Sequence, residues 1–298
     1  MKKIILASVI ATSALMADVK TVTPYVGTIN YDSSSAKSIK DNAKLAGFYS
    51  SVGNLDYLLE FAYGYTKINY KDGTIQDLKQ HDITLKYGKF YKSFAWNAGL
   101  HYINNNESGT IKDLADGYTA ILGLEGYKWF GYNKLTYGVD TYYSYYRHAF
   151  NDTSRASETK VGVLQISPKI MHSKAISINT KNTIALTANF IKANDYKNST
   201  YSSFELSDTL GYKKFFTTLK YNGGEMRSGV KDGGFTVYNT KDLLKDAYSA
   251  KLGYYFTPKL EADVSYTYNN YQEYDANNLV LLPQGSSSIA VISMSYSY

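Results

Sequence analysis

The chain has 298 residues, 44% hydrophobic and 19% charged, with no cysteine and only 4 prolines. That balance excludes collagen-like, acidic-disordered and coiled-coil proteins. The missing cysteine excludes a disulfide scaffold, thiolate-bound zinc, an iron–sulfur cluster, thiol catalysis and a lipoprotein anchored through an N-terminal Cys. Tyrosine is the anomaly: 32 Tyr stand against 12 Phe. A dry core favours Phe and Leu, so this excess points to surfaces that are half apolar and half wet.

Residues 1–17 carry Lys2 and Lys3, then an apolar run, then small residues up to Ala17, the layout of a cleaved signal peptide. The run is too short to span a bilayer as a helix. Residues 18–298 are then the exported chain, expected as one domain. Losing Lys2 and Lys3 lowers the formal charge from +6, and the remaining surplus is spread thinly along the chain. Nucleic acid needs a concentrated basic face, so it is not an expected partner.

Beyond Ala17 no stretch approaches the 18 consecutive apolar residues of a membrane helix. Period-two alternation recurs instead. Tyr57, Leu59, Phe61, Tyr63 and Tyr65 alternate with Leu58, Glu60, Ala62, Gly64 and Thr66. The same pattern runs through Ile83–Tyr87, Trp96–Tyr102, Ala120–Leu124, Leu135–Tyr145, Ile184–Phe190, Tyr248–Phe256 and Leu260–Tyr268. Short breaks at 52–54, 91–93, 130–133, 172–174, 213–214 and 257–259 alternate with longer polar ones at 32–40, 71–79, 104–116, 148–157, 193–199, 222–245 and 270–287. The reading is an all-β, closed antiparallel transmembrane β-barrel of about fourteen strands, within a range of about 12–16, with short periplasmic turns and long extracellular loops. A soluble sandwich also alternates, but it would not bracket its apolar face with aromatics at both ends, as Tyr57 and Tyr65 or Tyr248 and Phe256 do here.

The last strand alternates Ala290, Ile292, Met294, Tyr296 and Tyr298 with small polar residues, and the chain stops on an aromatic. It resembles the C-terminal assembly signal of bacterial outer-membrane β-barrel proteins, with Tyr where Phe is commoner, and the strand count is similar to that of monomeric porins. The resemblance implies a Gram-negative outer-membrane location, insertion by the barrel-assembly machinery with Tyr296 and Tyr298 as the signal, and outer-membrane lipids as surroundings.

By parity, Glu60, Glu125, Asp140, Glu205, Glu261 and Asp263 point inward, and so do Lys44, Lys86, Lys181, Lys220 and Lys251. Charges gathered on one face imply a lumen holding water, because Lys or Arg on the lipid face costs ~2–4 kcal/mol at midplane. Large inward rings are few on this reading, Tyr142 and Tyr146 being the main ones. Two places break the parity: Asp208 falls on an apolar face, and Val161 and Val163 disagree with Leu164 and Ile166. A bulge or slipped register is expected there.

Catalytic constellations are sparse. A turn about Tyr91–Lys92 sets Asp82 across from His101, a lumen pair short of a nucleophile motif. No metal-site motif or phosphate loop occurs, and the glycines between Gly223 and Gly234 lack the strand–turn–helix context of a phosphate cradle. No cofactor and no catalysis are therefore expected. The expected function is passive diffusion of small hydrophilic solutes or ions through a porin-like channel. An outer-membrane hydrolase using Asp82 and His101, or a barrel serving for surface binding or structure, is the alternative.

Overall fold

The computed structural model describes residues 19–33, 40–71, 78–106, 116–147, 161–194, 200–227, 231–232, 235–236, 242–273 and 284–298. The expected signal peptide lies outside them. Among the described residues there is no helix; the strands are β1 (Val19–Ser33), β2 (Lys40–Gly53), β3 (Tyr57–Tyr70), β4 (Leu78–Phe90), β5 (Phe94–Asn106), β6 (Asp116–Phe130), β7 (Asn133–Arg147), β8 (Val161–Ser177), β9 (Thr180–Ala193), β10 (Thr200–Tyr212), β11 (Phe215–Arg227), β12 (Lys231–Asp232), β13 (Phe235–Thr236), β14 (Asp242–Thr257), β15 (Leu260–Glu273) and β16 (Gly285–Ser297).

Fourteen of these strands close into one antiparallel barrel, each paired with its neighbours in chain order. β12 and β13 pair only with each other. Antiparallel pairing of β1 with β16 shuts the ring, running from Thr21 opposite Ser297 to Ser33 opposite Gly285. Closure leaves no sheet edge to satisfy, which is the condition for a sheet to stand in hydrocarbon.

All the short connections lie at one end of the barrel: 54–56, 91–93, 131–132, 178–179, 213–214 and 258–259. Lys213 and Gly131 supply the positive φ angles, 53° and 59°, that two-residue turns require. The longer connections meet the other end and lie largely outside the described residues. The largest departures from the sequence reading fall at three breaks. The break expected at 172–174 is strand: β8 continues to Ser177 because His172 rests on the outer wall, its Nε2 3.1 Å from Asn133 Oδ1, while Ser173 accepts a hydrogen bond from Thr183. A polar run at a rim had the look of a turn. The 222–245 loop is shortened by β11 and β14, and the 270–287 loop by β15 and β16. Gly223 and Gly224 thus belong to β11, at a register shift where Gly224 takes φ 98°.

The outer wall is apolar. Leu122, Leu124, Ile170, Leu186, Leu206, Leu219, Leu252 and Ile292 are all exposed there. Rings flank this band at both ends, among them Tyr118, Tyr143, Phe204 and Tyr248 towards the loops and Tyr212, Phe215, Phe256 and Tyr296 towards the turns. These are the two aromatic girdles of a membrane barrel.

Neither expected irregularity exists. β10 pairs with β9 and β11 without a shift. Asp208 therefore does face out, between Leu206 and Leu210, where Asn182 donates to it at 2.6 Å. In β8, Val163 points inward and is fully buried, so the apolar residues that blurred its parity line both faces.

Candidate functional site in the barrel lumen

Alternate side chains leave opposite faces of a strand, so register determines which residues meet inside the ring. Four ion-paired groups are spaced around it. Glu60 meets Lys86 at 2.5 Å, and the Tyr49 hydroxyl donates to the same carboxylate. Lys169 joins both Glu125 and Asp140, 2.8 Å from the latter. Glu205 pairs with Lys220 at 2.8 Å. Lys251 lies 3.0 Å from Asp263, which also accepts a hydrogen bond from Ser293 at 2.6 Å. Small residues make the room: a Cβ on Gly123 would collide with the Asn97 amide and the Asp140 carboxylate.

Eight of the eleven residues expected to line the pore thus occupy these groups. Lys181 and Glu261 also face in, close to the turns, opposite Gly211 and Tyr255 respectively. Lys44 does not. It stands opposite Lys67 in register, on the outward face that also carries Phe48 opposite Tyr63. The inner face of β2 goes to Leu45, Gly47 and Tyr49, with the Tyr49 hydroxyl drawn inward by Glu60. Lys169 was absent from the sequence reading because its strand lacks an apolar–polar contrast. The signal that finds it is register: Lys169 stands opposite Gly138, which stands opposite Glu125.

Between these ion-paired groups and the loop end, polar side chains tie neighbouring strands together. Gln165 donates to Ser167, Ser167 to Asn189, and Asn189 to Ser203. Thr119 and Ser144 share a 2.7 Å bond. His101 sits opposite Thr84, with Nδ1 2.7 Å from its hydroxyl. The expected Asp82–His101 alignment is displaced, because the 91–93 turn is centred one residue later than assumed. Asp82 stands opposite Ile103 instead, and its Oδ1 is 3.7 Å from His101 Nε2, beyond a direct hydrogen bond. Asp82, Thr84 and His101 are 2%, 1% and 1% exposed. A Thr–His–Asp order is present, with all three side chains buried.

Nearest the loops the lumen turns apolar. Ile103, Tyr146, Val163, Ile191, Ala193, Tyr201 and Leu243 form one buried cluster drawn from β5, β7, β8, β9, β10 and β14. Inward rings are commoner than expected: Tyr25, Tyr31, Tyr49, Tyr201, Phe216, Tyr255 and Tyr271 join Tyr142 and Tyr146 on inward positions. The lumen is therefore not uniformly water-filled. Part of its loop end is packed like a protein core. The backbone of β12 lies against β3 and β4, across the ring from β11 and β14, between which it is inserted.

A closed antiparallel barrel of fourteen strands, apolar outside, polar inside and girdled by aromatics, has the fold of the bacterial outer-membrane β-barrels. Solved structures of that class are similar along nearly the whole chain. A FadL homologue of Pseudomonas aeruginosa matches with a TM-score of 0.55 and 11% identity, covering 97% of this chain and 91% of that one. The toluene transporter TbuX of Ralstonia pickettii gives 0.53 and 9%, over 95% and 90%. The CymD monoaromatic hydrocarbon channel gives 0.52 and 10%, over 97% and 91%. At these identities the likeness is one of fold. No family model and no curated protein matches the chain.

Proposed function

We propose that this chain is a channel of the Gram-negative outer membrane, reached by way of a cleaved signal peptide, that passes small hydrophilic solutes by passive diffusion. The observation that carries the reading is the placement of charge. Glu60, Lys86, Glu125, Asp140, Lys169, Glu205, Lys220, Lys251 and Asp263 all face the lumen, and each has an oppositely charged partner there. Charges held in pairs around a wall give a polar path with little net sign, so solutes move down their gradients with weak ion preference. Catalysis has no place in this account, since the Asp82–Thr84–His101 group is sealed from solvent.

The test is electrical. Purified, refolded protein added to a planar bilayer should give discrete conductance steps that scale with salt concentration, and reconstituted liposomes should swell in small sugars. A barrel that inserts yet neither conducts nor swells overturns the proposal.

A second reading rests on the apolar cluster at the loop end. Val163, Ile191, Tyr201 and Leu243 could seat a small apolar solute, and similar folds include a monoaromatic hydrocarbon channel and a toluene transporter. Uptake of toluene into liposomes, lost on Ile191→Asp while sugar swelling persists, would favour that reading.

A further inference from the structure

The outward faces of β2, β3 and β4 carry an ordered array separate from the lumen. Lys44 stands opposite Lys67, and Lys67 opposite Lys79, so three lysines form one row across three adjacent strands. Strand spacing sets their backbones about 4.8 Å apart. Lys44 and Lys79 are exposed.

The rows on either side give this one its level. One step towards the turns lie Tyr65 and His81, again opposite each other, with ring centroids 5.2 Å apart. Tyr63 completes that layer, its hydroxyl 2.9 Å from His81 Nδ1. One step towards the loops, Asn69 donates to Asn42 at 2.6 Å, and Asn42 to Asp41. The order from midplane outward is therefore apolar, aromatic, cationic, then a polar layer of Asn69 and Asn42 capped by the Asp41 carboxylate. Aromatics mark the membrane–water boundary, so the lysines stand where lipid headgroups stand.

The row belongs to one sector of the ring. Just beyond the aromatic layer on β14 and β15, where Tyr248 faces Tyr268, the next outward pair is Asp246 and Asn270, joined at 2.7 Å. A generic basic collar would not change sign around the wall.

Resting on the outer-membrane reading above, we propose that Lys44, Lys67 and Lys79 form a binding site for the phosphorylated headgroup of an outer-leaflet lipid. Phosphate offers several acceptor oxygens and up to two charges, matching three ammonium groups in a line. A lipid rather than a free anion fits because the wall below is apolar: Val26 is 59% exposed and Phe48 36%, giving acyl chains a surface to cover.

The test titrates wild-type barrel in zwitterionic micelles with diphosphoryl lipid A and reads the lipid-bound fraction by native mass spectrometry. Lys44→Gln, Lys67→Gln and Lys79→Gln together should weaken binding by on the order of a hundredfold, and Lys→Arg at all three positions should preserve it. Inorganic phosphate at matched concentration should not displace the lipid; full displacement would make this a free-anion site and overturn the lipid assignment. Equal binding by wild type and the Gln triple overturns the site. Should the triple fail to assemble, Lys44→Gln alone should cost about fivefold, and no loss there overturns it as well. The same preparations separate this inference from the channel reading. Wild type that conducts but binds lipid A no better than the Gln triple defeats only the site, whereas wild type that binds but does not conduct defeats only the channel.

Discussion

Lys169 on β8 reaches Asp140 on β7 at 2.8 Å and holds Glu125 on β6 at the same time, so one cation answers two carboxylates across the glycine at position 138. Replacing Lys169 with Met leaves two adjacent negative charges facing the lumen. Cation preference should then rise, seen as a shifted reversal potential in a potassium chloride gradient and largest at low salt, where screening is weakest. The pair is only partly buried, so folding should lose about 1 kcal/mol. An unshifted reversal potential would mean that this group does not border the conducting path.

The barrel was legible in the sequence because period-two alternation is a direct image of its two environments, lipid outside and lumen inside. It failed where both faces share one character. β8 begins its inner face with the buried Val163 and its outer face with Leu164, so Lys169 could not be placed. Lys44 went astray for a related reason: Leu45 and Tyr49 take the lumen side of β2 although they look like lipid-facing residues. Partnership was the harder part. It depends on register, and a one-residue shift in the 91–93 turn moves His101 from opposite Asp82 to opposite Thr84. The apolar cluster at the loop end was invisible in principle, since alternation records which face a side chain takes but not what fills the space it enters.

Topology gives a sharp prediction because the chain has no native cysteine to obscure labelling. Asp41→Cys, exposed at the loop end, should react with a membrane-impermeant maleimide on intact cells. Leu55→Cys, 95% exposed in the 54–56 turn, should react only after the outer membrane is permeabilised. The opposite pattern would invert the barrel.

At the loop end, Ile191 and Tyr201 are 2% and 8% exposed within the apolar cluster. Ile191→Ala should cost about 2–5 kcal/mol if the site cannot collapse, read as a lower denaturant midpoint of the refolded barrel. Adding Tyr201→Ala should raise single-channel conductance by removing packed side chains from the path. Unchanged conductance in the double variant would place the conducting path along the other side of the lumen.

His101 is buried, and its contact with the Thr84 hydroxyl is structural on the present reading. His101→Ala should cost about 1–3 kcal/mol through the lost hydrogen bond and leave conductance close to that of the parent. Wild-type protein should show no hydrolysis of short-chain nitrophenyl esters. Turnover that disappears in His101→Ala would instead establish the enzyme reading.

The seam between first and last strands decides how the C-terminal aromatics act. Tyr298 donates its backbone N–H to the Lys20 carbonyl at 3.0 Å, its ring lies 5.9 Å from the Lys20 ammonium, and it stacks on Tyr296 with centroids 5.9 Å apart. Both rings face out, 48% and 54% exposed, so neither packs the lumen. If the seam needed only backbone pairing, any side chain would serve. If the rings anchor the strand at the interface, Tyr296→Asp with Tyr298→Asp should sharply reduce heat-modifiable barrel in the membrane fraction, while Tyr→Phe at both positions should restore it. Ser297→Asp supplies the control, because it puts one such carboxylate on the same strand, between the two tyrosines but on the lumen side. Equal losses from Ser297→Asp and the Tyr pair would locate the defect in strand closure, and normal insertion of the Tyr pair would remove any role for the terminal aromatics in assembly.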